Sequence, residues 1–232
     1  MSLAISPALP SALSIEAKAS LPSTPGSFPA ASTANPPATV RVVDRFYRLT
    51  LAQYRSMAEA GILGEHDRVV LLEGLLVNKM TKHQPHILAT GLVQDCLGRA
   101  VPAGWFVEMQ DPITIAESQS APEPDAKIVR GRRRDFRDRR VTPGDVAVVV
   151  KVADSSVQED QTTMKAIYAA ASIPFFWLAN LPANRVEVYA DPTGPDPTPD
   201  YRRRTDLGPD DTIPLILDGQ EVARIAVRDL LP

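Results

Sequence analysis

The residues of this chain best suited to chemistry are one carboxylate and two lysines that the fold could bring to one end of a sheet. Asp125 opens the apolar strand "PDAKIV", and Lys151 lies inside the valine-rich strand "VAVVVKV". Lys165 follows on a helix, at the border of the face that this helix would bury. A lysine at that border can extend along the sheet toward the strand ends. We therefore expect Asp125, Lys151 and Lys165 to converge.

Lys151 is the unusual member of this set, because its neighbours in sequence predict a buried strand. A buried ammonium group costs several kcal/mol unless it is paired or hydrogen-bonded. We therefore expect Lys151 to form an ion pair with Asp125. The alternative is that its side chain extends from the end of the strand to solvent.

A run of basic residues directly follows the strand that Asp125 opens. The segment "RGRRRDFRDRR", residues 130–140, contains seven arginines and two aspartates around a phenylalanine. Beside a phosphodiester site such a loop would hold backbone phosphates by bidentate contacts. The residues that we expect to bind nucleic acid are Arg130, Arg132, Arg133 and Arg134. The alternative is a solvated charged loop that its own aspartates partly neutralise.

Other kinds of site find little support in the sequence. The motif "HQPH" has two histidines three residues apart, but a zinc site needs three or four ligands, which favours polar residues at a helix start. Cys96 is the single cysteine, so an intrachain disulfide is excluded, and we interpret it as a packed core thiol in a reducing compartment. No nucleophile elbow, phosphate-binding glycine loop or dinucleotide fingerprint is present.

Composition sets broader limits on function. The chain has 232 residues and a net charge of -3, so it is not a polycation built to coat nucleic acid. No stretch of eighteen apolar residues or signal peptide is evident, which predicts a cytoplasmic protein without a membrane span. Residues 1–40 are rich in Ala, Ser and Pro and are expected to form a disordered tail. Residues 41–232 are expected to form one domain.

The coarse secondary structure positions the candidate residues. A helix is expected to start at Thr50, and a hairpin is expected to turn at Glu73-Gly74. Residues 145–180 predict a β-α-β unit whose helix starts with a capping box of Ser156 and Glu159. A second hairpin is expected at Asp218-Gly219. The predicted fold is a mixed β-sheet flanked by a few helices, α/β or α+β.

A second helix is expected within "TKHQPHILATGLVQDCLGRAVPAG", with Gly104 past its end. Short strands are expected on either side of Asp111-Pro112. The expected elements also include a strand at "RVEVYADP". The residues expected on the inner face of the second helix are Leu88, Leu92, Val93, Cys96 and Leu97. The buried stripe expected on the helix of the β-α-β unit is Val157, Met164, Tyr168 and Ala171.

Several segments, in their order and spacing, resemble the Uma-type restriction endonuclease family of the PD-(D/E)XK nuclease superfamily. The resemblance covers about residues 47–232. The segments that carry it are "LLEGLLVNKMTKHQPH", "APEPDAKIVRG", "VVVKVADSSVQEDQTTMKAIYAAASIPFFWL" and "DPTGP…Y". The resemblance implies a restriction-endonuclease-like fold and an endonuclease that hydrolyses phosphodiester bonds of nucleic acid, with DNA as the expected substrate.

The resemblance also implies roles for individual residues. In such nucleases an aspartate and a glutamate on neighbouring strands bind Mg²⁺ or Mn²⁺, which activates water and stabilises charge on the phosphate. Carried over to this chain, Asp125 is the metal-binding aspartate and Lys165 the catalytic lysine on the helix. The glutamate is expected where Lys151 stands, and a further acid is expected at Val70. The acids that could substitute for them are Glu123, Asp154 and Asp160.

This chain thus departs from the family pattern at two of four positions, and at position 151 the departure reverses the charge. Two hypotheses follow. The first is a metal-dependent endonuclease with weakened or lost activity. The second is an inactive protein that binds nucleic acid or a protein partner on the same scaffold. The sequence leaves the oligomeric state open, with a homodimer as one option.

Overall fold

The computed structural model of the protein describes residues 46–64 and 66–232. The tail predicted at residues 1–40 lies outside the described residues. The first described elements are α1 (Leu51–Glu59), β1 (Val69–Leu72), β2 (Leu75–Asn78) and α2 (Gln84–Ala100). The expected helix start at Thr50 is confirmed, because its side chain and that of Gln53 form a reciprocal capping box.

The first hairpin turns where the sequence predicts it. Strands β1 and β2 pair antiparallel, and Leu72 lies opposite Leu75 across a two-residue loop. Both loop residues have positive φ, 49° at Glu73 and 78° at Gly74. Glycine adopts this conformation at little cost, which is why a Gly in the second position favours a tight hairpin.

A mixed sheet of six strands forms the centre of the fold. Its strands are β3 (Trp105–Met109), β4 (Ala126–Arg130), β5 (Val146–Ala153), β6 (Phe175–Asn180), β7 (Arg185–Pro192) and β8 (Tyr201–Leu207). They lie side by side in the order in which they follow in the chain. Strands β5 and β6 are parallel, and the other neighbouring pairs are antiparallel.

The parallel pair requires a crossover, and a helical segment supplies it. This segment is α3 (Val157–Glu159), a π-helical turn (Asp160–Met164) and α4 (Lys165–Ala170). The expected buried stripe packs on the sheet, with Met164 and Tyr168 in the core. The β-α-β unit is therefore confirmed, although a π turn interrupts the helix. Such turns insert one extra residue and occur frequently at functional sites.

Two local expectations were wrong. The capping box at the start of α3 is absent, because the Ser156 hydroxyl makes no cap hydrogen bond and donates instead to the Asp160 carboxylate at 2.6 Å. Leu88 does not face the core but is 50% exposed. The expected Val93, Cys96 and Leu97 are buried, and the buried face of α2 continues toward its start through Thr90, Ala89 and His86.

Each face of the sheet packs against its own apolar layer. Helix α2 and a second hairpin, β9 (Thr212–Leu217) and β10 (Gln220–Ala226), cover one face. The α3–α4 segment covers the other face. The second hairpin turns at Asp218 and Gly219, as expected. Strand β5 lies in the middle of this sandwich, which explains its run of valines, since both of its faces are buried.

Within the described residues, no helix is long and apolar enough to cross a membrane.

Candidate functional site

A cavity of about 110 Å³ lies where β4 begins and β5 ends. The β1–β2 hairpin, the start of α2 and the start of the α3–α4 segment surround it. Its charged and imidazole-bearing lining residues are Lys79, Lys82, His83, His86, Glu123, Asp125, Lys151, Asp154, Glu159 and Asp160. The sheet thus brings Asp125 and Lys151 together, as their positions at the ends of neighbouring strands predict.

Asp125 is the central carboxylate of this cavity and is almost completely buried, with 2% of its surface exposed. Its Oδ2 accepts a hydrogen bond from the Val152 backbone N–H at 2.9 Å and lies 3.5 Å from the Lys151 ammonium. Its Oδ1 lies 3.3 Å from His86 Nε2 and 3.5 Å from Lys82 Nζ. Both carboxylate oxygens are therefore surrounded by donors from the protein itself.

The protonation of Asp125 follows from these contacts. Burial by itself raises the pKa of the carboxyl group. The Lys151 ammonium and the hydrogen bonds from His86 and Val152 act more strongly in the opposite direction and hold the pKa well below its usual range. Asp125 is thus an anion at neutral pH, and it is neutralised locally.

Lys151 lies between two carboxylates. Its Nζ is 3.5 Å from Asp125 and 3.9 Å from Asp160, and 17% of its side chain is exposed. Burial lowers the pKa of Lys151, but the two carboxylates outweigh burial and raise the pKa above its ordinary value. The lysine is therefore a charged, internally paired side chain rather than one that extends freely into solvent.

Asp160 is the second buried carboxylate beside Lys151, and it comes from the π turn. It accepts a hydrogen bond from Ser156 at 2.6 Å, and only 2% of its surface is exposed. Burial raises its pKa to about 6, although Lys151 and Ser156 act in the lowering direction. A group with this pKa is mostly ionised at neutral pH and takes up a proton in mildly acidic solution.

The residues present do not fit a divalent metal ion. Mg²⁺ requires oxygen ligands in octahedral geometry, and the position between Asp125 and Asp160 is held by the ammonium of Lys151. Glu123, the other carboxylate near Asp125, is paired with Lys79 at 2.7 Å. Within the described part of the chain, no group of three or more histidine, cysteine, aspartate or glutamate residues could hold a metal ion.

Val70 also lines the cavity, at the position where the resemblance implies an acid. An apolar valine in that place offers no ligand. Both departures from the family pattern, Val70 and Lys151, therefore lie on the wall of the same cavity, and neither supplies a carboxylate there.

Lys165 is not among the residues that line this cavity. Its ammonium lies 2.7 Å from Asp200 and 5.5 Å from the centre of the Tyr189 ring. The catalytic role implied by the resemblance stays a prediction, but the expected convergence of Lys165 with Asp125 and Lys151 does not occur in this arrangement.

The arginine loop lies at the opposite end of β4 from Asp125. Asp125 precedes the strand and Arg130 ends it, and five residues of strand separate the two by about 17 Å. Most of the arginines expected to bind nucleic acid have partners within the chain. Arg130 pairs with Asp218, Arg132 with Asp135 and Arg133 with Glu108. Their contact with nucleic acid stays a prediction.

Sequence reasoning missed two residues of the cavity that contact Asp125, namely Lys82 and His86. The segment "NKMTKHQPH" lies next to Asp125 because the hairpin and the start of α2 fold over the strand end. The prediction that its histidines lie at a helix start is confirmed, since His83 precedes α2 and His86 lies in its first turn. The available signal was the clustering of two lysines and two histidines within nine residues.

Comparison with known proteins supports the fold and the family. Residues 51–227 match the profile of the Uma2 family, which is described as "Putative restriction endonuclease". The chain belongs to the Uma2 family. No protein of curated function matches the sequence.

The crystal structure of a protein from Anabaena variabilis, described as "a putative nuclease belonging to DUF820", has the same fold as this Uma2 chain. The two superimpose with a TM-score of 0.54 and share 14% sequence identity. The match covers 78% of this chain and 97% of the other. The restriction-endonuclease-like fold expected from the sequence is thereby confirmed.

Proposed function

We propose that this Uma2-family protein binds nucleic acid on a nuclease fold and lacks Mg²⁺-dependent cleavage. The observation that carries the proposal is the position of Lys151. Its ammonium lies between Asp125 and Asp160, at 3.5 and 3.9 Å, where a cation shared by the two carboxylates would have to sit. One fixed positive charge therefore replaces the charge of an exchangeable ion.

In a nuclease of this type, a divalent cation activates the attacking water and stabilises the charge that builds on the phosphate. An ammonium group supplies positive charge but no open coordination position for a water molecule. Asp125 is surrounded by donors on both oxygens and is not free to act as a base. The charged side chains at the cavity are fixed by their ion pairs with one another. Such an arrangement suits binding of nucleic acid better than hydrolysis of its phosphodiester bonds.

Nucleic acid is the partner that family membership supports. The lysines at the cavity include Lys82, whose side chain is 38% exposed, and it lies next to the start of α2. The first turn of a helix carries unpaired N–H groups and a partial positive charge, both of which favour phosphate. DNA is the form that we expect to be bound.

Calorimetry and a binding assay test the proposal on the full-length protein. We expect Mn²⁺ to bind weakly, plasmid DNA to stay intact with Mg²⁺ or Mn²⁺, and a labelled DNA duplex to bind in the presence of EDTA. Tight binding of Mn²⁺ together with nicking of the plasmid, both lost in Asp125→Ala, would show that the protein is an active metal-dependent nuclease. Absence of DNA binding in EDTA would equally overturn the proposal.

A further inference from the structure

The two edge strands of the central sheet differ in character. Strand β8, at one edge, carries three consecutive arginines and an aspartate, which discourage pairing with another strand. Strand β3, at the other edge, has the sequence "WFVEM" and four apolar residues out of five. No residue of β3 is fully buried, so this apolar strand stands partly open to solvent. Within the described residues, β3 pairs with β4 alone.

The backbone groups that β3 presents outward can be assigned from its neighbours. Gln110 donates to the Asp125 carbonyl at 3.2 Å, and Gly131 donates to the Gly104 carbonyl at 2.7 Å. Residues that hydrogen-bond to β4 alternate with residues that do not. Positions 104, 106, 108 and 110 therefore point to β4. Trp105, Val107 and Met109 direct their backbone groups to the open edge.

A groove of about 460 Å³ runs along this open edge. Helix α2 forms one wall, and Gly98 in that wall has no heavy atom within 4 Å of the position that a Cβ would take. The residues that line the groove are Gln94, Asp95, Gly98, Val101, Trp105, Phe106, Val107, Met109 and Arg133. The groove is an elongated space beside backbone groups of β3 that pair with no other described strand, which suits an additional strand.

Arg133 covers part of this edge within the single chain. Its guanidinium donates to the Val107 carbonyl and lies 5.0 Å from the centre of the Phe106 ring. It also lies 4.0 Å from the Glu108 carboxylate. The arginine thus occupies one of the outward-facing acceptors of β3 with a side chain that can move away.

We propose that the edge of β3 pairs with the same edge of a second copy of this chain, about a two-fold axis at Val107. Antiparallel pairing in this register places Trp105 opposite Met109 of the other copy and Phe106 opposite Glu108 of the other copy. Val107 of each copy exchanges both backbone hydrogen bonds with its counterpart, because both of its backbone groups point outward. The two six-stranded sheets then form one continuous sheet.

Charge and shape favour a second copy over an unrelated strand. The guanidinium of Arg133 stands over Phe106, and in this register Phe106 lies beside the Glu108 carboxylate of the other copy. Arg133 can therefore exchange its weak contact with Glu108 of its own chain for a cross-strand ion pair, twice per dimer. On the other face, Trp105 and Met109 cover each other's apolar surface. The edge is thus complementary to itself, as a two-fold interface requires.

A cysteine at position 107 tests the register directly. Two residues that form a hydrogen-bonded pair between antiparallel strands have Cα atoms about 5.5 Å apart. This distance lies within the range that a disulfide spans. We expect full-length Val107→Cys to form a covalent dimer under mild oxidation. Phe106→Cys is the matched control and should stay uncrosslinked, because Phe106 faces Glu108 rather than itself. Wild type controls for Cys96, which is 7% exposed and should not react.

A second pair of variants separates pairing from folding. Val107→Pro removes the outward N–H that the dimer needs, and the β3–β4 hydrogen bonds do not use that group. Val107→Ala keeps the N–H and is the matched control. In light scattering we expect twice the mass of one chain for wild type and Val107→Ala, and the mass of one chain for Val107→Pro. Circular dichroism should show that Val107→Pro is folded.

Three results would overturn the inference. One is a monomeric wild type at the highest concentration that can be measured. Another is a dimer that persists in folded Val107→Pro, which would place the interface elsewhere. The last is a failure of Val107→Cys to crosslink more than Phe106→Cys. None of these results bears on metal binding or DNA binding, so the proposed function stands or falls separately.

Discussion

Lys151 is a buried ammonium whose charge is balanced entirely within the protein, by Asp125 and Asp160. A buried ammonium is tolerated in β5 because two carboxylates face it, and each would be costly to bury without it. The three charges depend on one another, so the effect of changing any one of them is set by the other two.

Lys151→Glu is expected to create a metal site. The change removes the ammonium from between Asp125 and Asp160 and adds a carboxylate in the position that the family pattern implies. We expect the affinity for Mn²⁺ to rise at least about tenfold, or about 1.4 kcal/mol. Isothermal titration calorimetry measures the change, and nicking of plasmid DNA reports any gain of activity.

Lys151→Gln is the matched control for this change, because it removes the charge without adding a strong ligand. It should bind Mn²⁺ less tightly than Lys151→Glu. Adding Val70→Glu to Lys151→Glu supplies a further carboxylate on the cavity wall and should tighten binding again. Equal Mn²⁺ affinity in wild type and Lys151→Glu would contradict the assignment of position 151 to a metal site.

Asp160 makes stability depend on pH in an unusual direction. Burial raises its pKa to about 6, from the ordinary aspartate value of 3.8. The folded state binds the proton of Asp160 more tightly than the unfolded state does. The free energy of unfolding gained from this proton is therefore fully present below pH about 4 and is lost as the pH rises through about 6. We expect Asp160→Asn to remove this trend and to gain stability relative to wild type as the pH rises.

Urea unfolding at several pH values between 4 and 8 checks this expectation. The free energy of unfolding of Asp160→Asn, relative to that of wild type, should increase by an amount on the order of 1–3 kcal/mol across that range. A difference that stays constant with pH would show that Asp160 titrates normally in the folded protein. Ser156→Ala is a useful comparison, because it removes the hydrogen bond to Asp160 and leaves the carboxyl group in place.

At the scale of elements, a third buried carboxylate fastens the α3–α4 segment to the sheet. Glu187 on β7 is fully buried, and burial alone would raise its pKa. Hydrogen bonds outweigh burial and lower the pKa to about 2. The donors are Tyr189 at 2.6 Å, Asn180 at 2.8 Å, Gln161 at 2.8 and 2.9 Å, and Arg185 at 3.0 and 3.2 Å. Because Gln161 follows Asp160, this network positions the π turn at the cavity.

Glu187→Ala is expected to destabilise the fold strongly. It leaves Arg185 and the polar side chains of the network without their acceptor, and loss of one partner of a buried ion pair typically costs about 3–5 kcal/mol. Glu221→Ala is the matched control, since it removes an exposed pair with Arg224 and should cost about 0–1 kcal/mol. Chemical denaturation measures both, and a similar small loss in the two variants would contradict the role of the network.

At the scale of the whole molecule, positive charge is concentrated in the arginine loop at the far end of β4. The cavity is mixed in charge, since three lysines, two histidines and five carboxylates line it. We expect changing Arg132, Arg133 and Arg134 to Ala to weaken DNA binding and to reduce its dependence on salt. Changing the exposed Arg203 and Arg228 to Ala is the control. An unchanged salt dependence in the loop variant would exclude the loop from the binding surface.

The extent of the stable folded domain can also be predicted at this scale. We predict that residues 1–40 are dispensable and that limited proteolysis removes them and leaves a stable core. Mass spectrometry of the digest identifies the new start, which we expect near Arg41. Protection of residues 1–40 from protease would contradict this prediction.

The sequence by itself determined most of the elements and their order. Glycines at the turn positions predict both hairpins. A valine-rich strand followed by apolar residues at helical spacing predicts the β-α-β unit. Both signals act between residues close in the chain. The pairing of Asp125 with Lys151 was also predictable, since the ends of adjacent strands meet and a buried ammonium requires an anion.

The tertiary structure alone decided which other side chains meet at the cavity. His86 and Lys82 reach Asp125 because α2 folds across the end of β4, and Asp160 reaches Lys151 because a π turn shifts the register of its helix. The same register directs Lys165 to Asp200. Residues distant in sequence are brought together by the packing of whole elements, and a shift of one residue in a helix redirects a side chain by about 100°. Local sequence patterns do not specify such a shift.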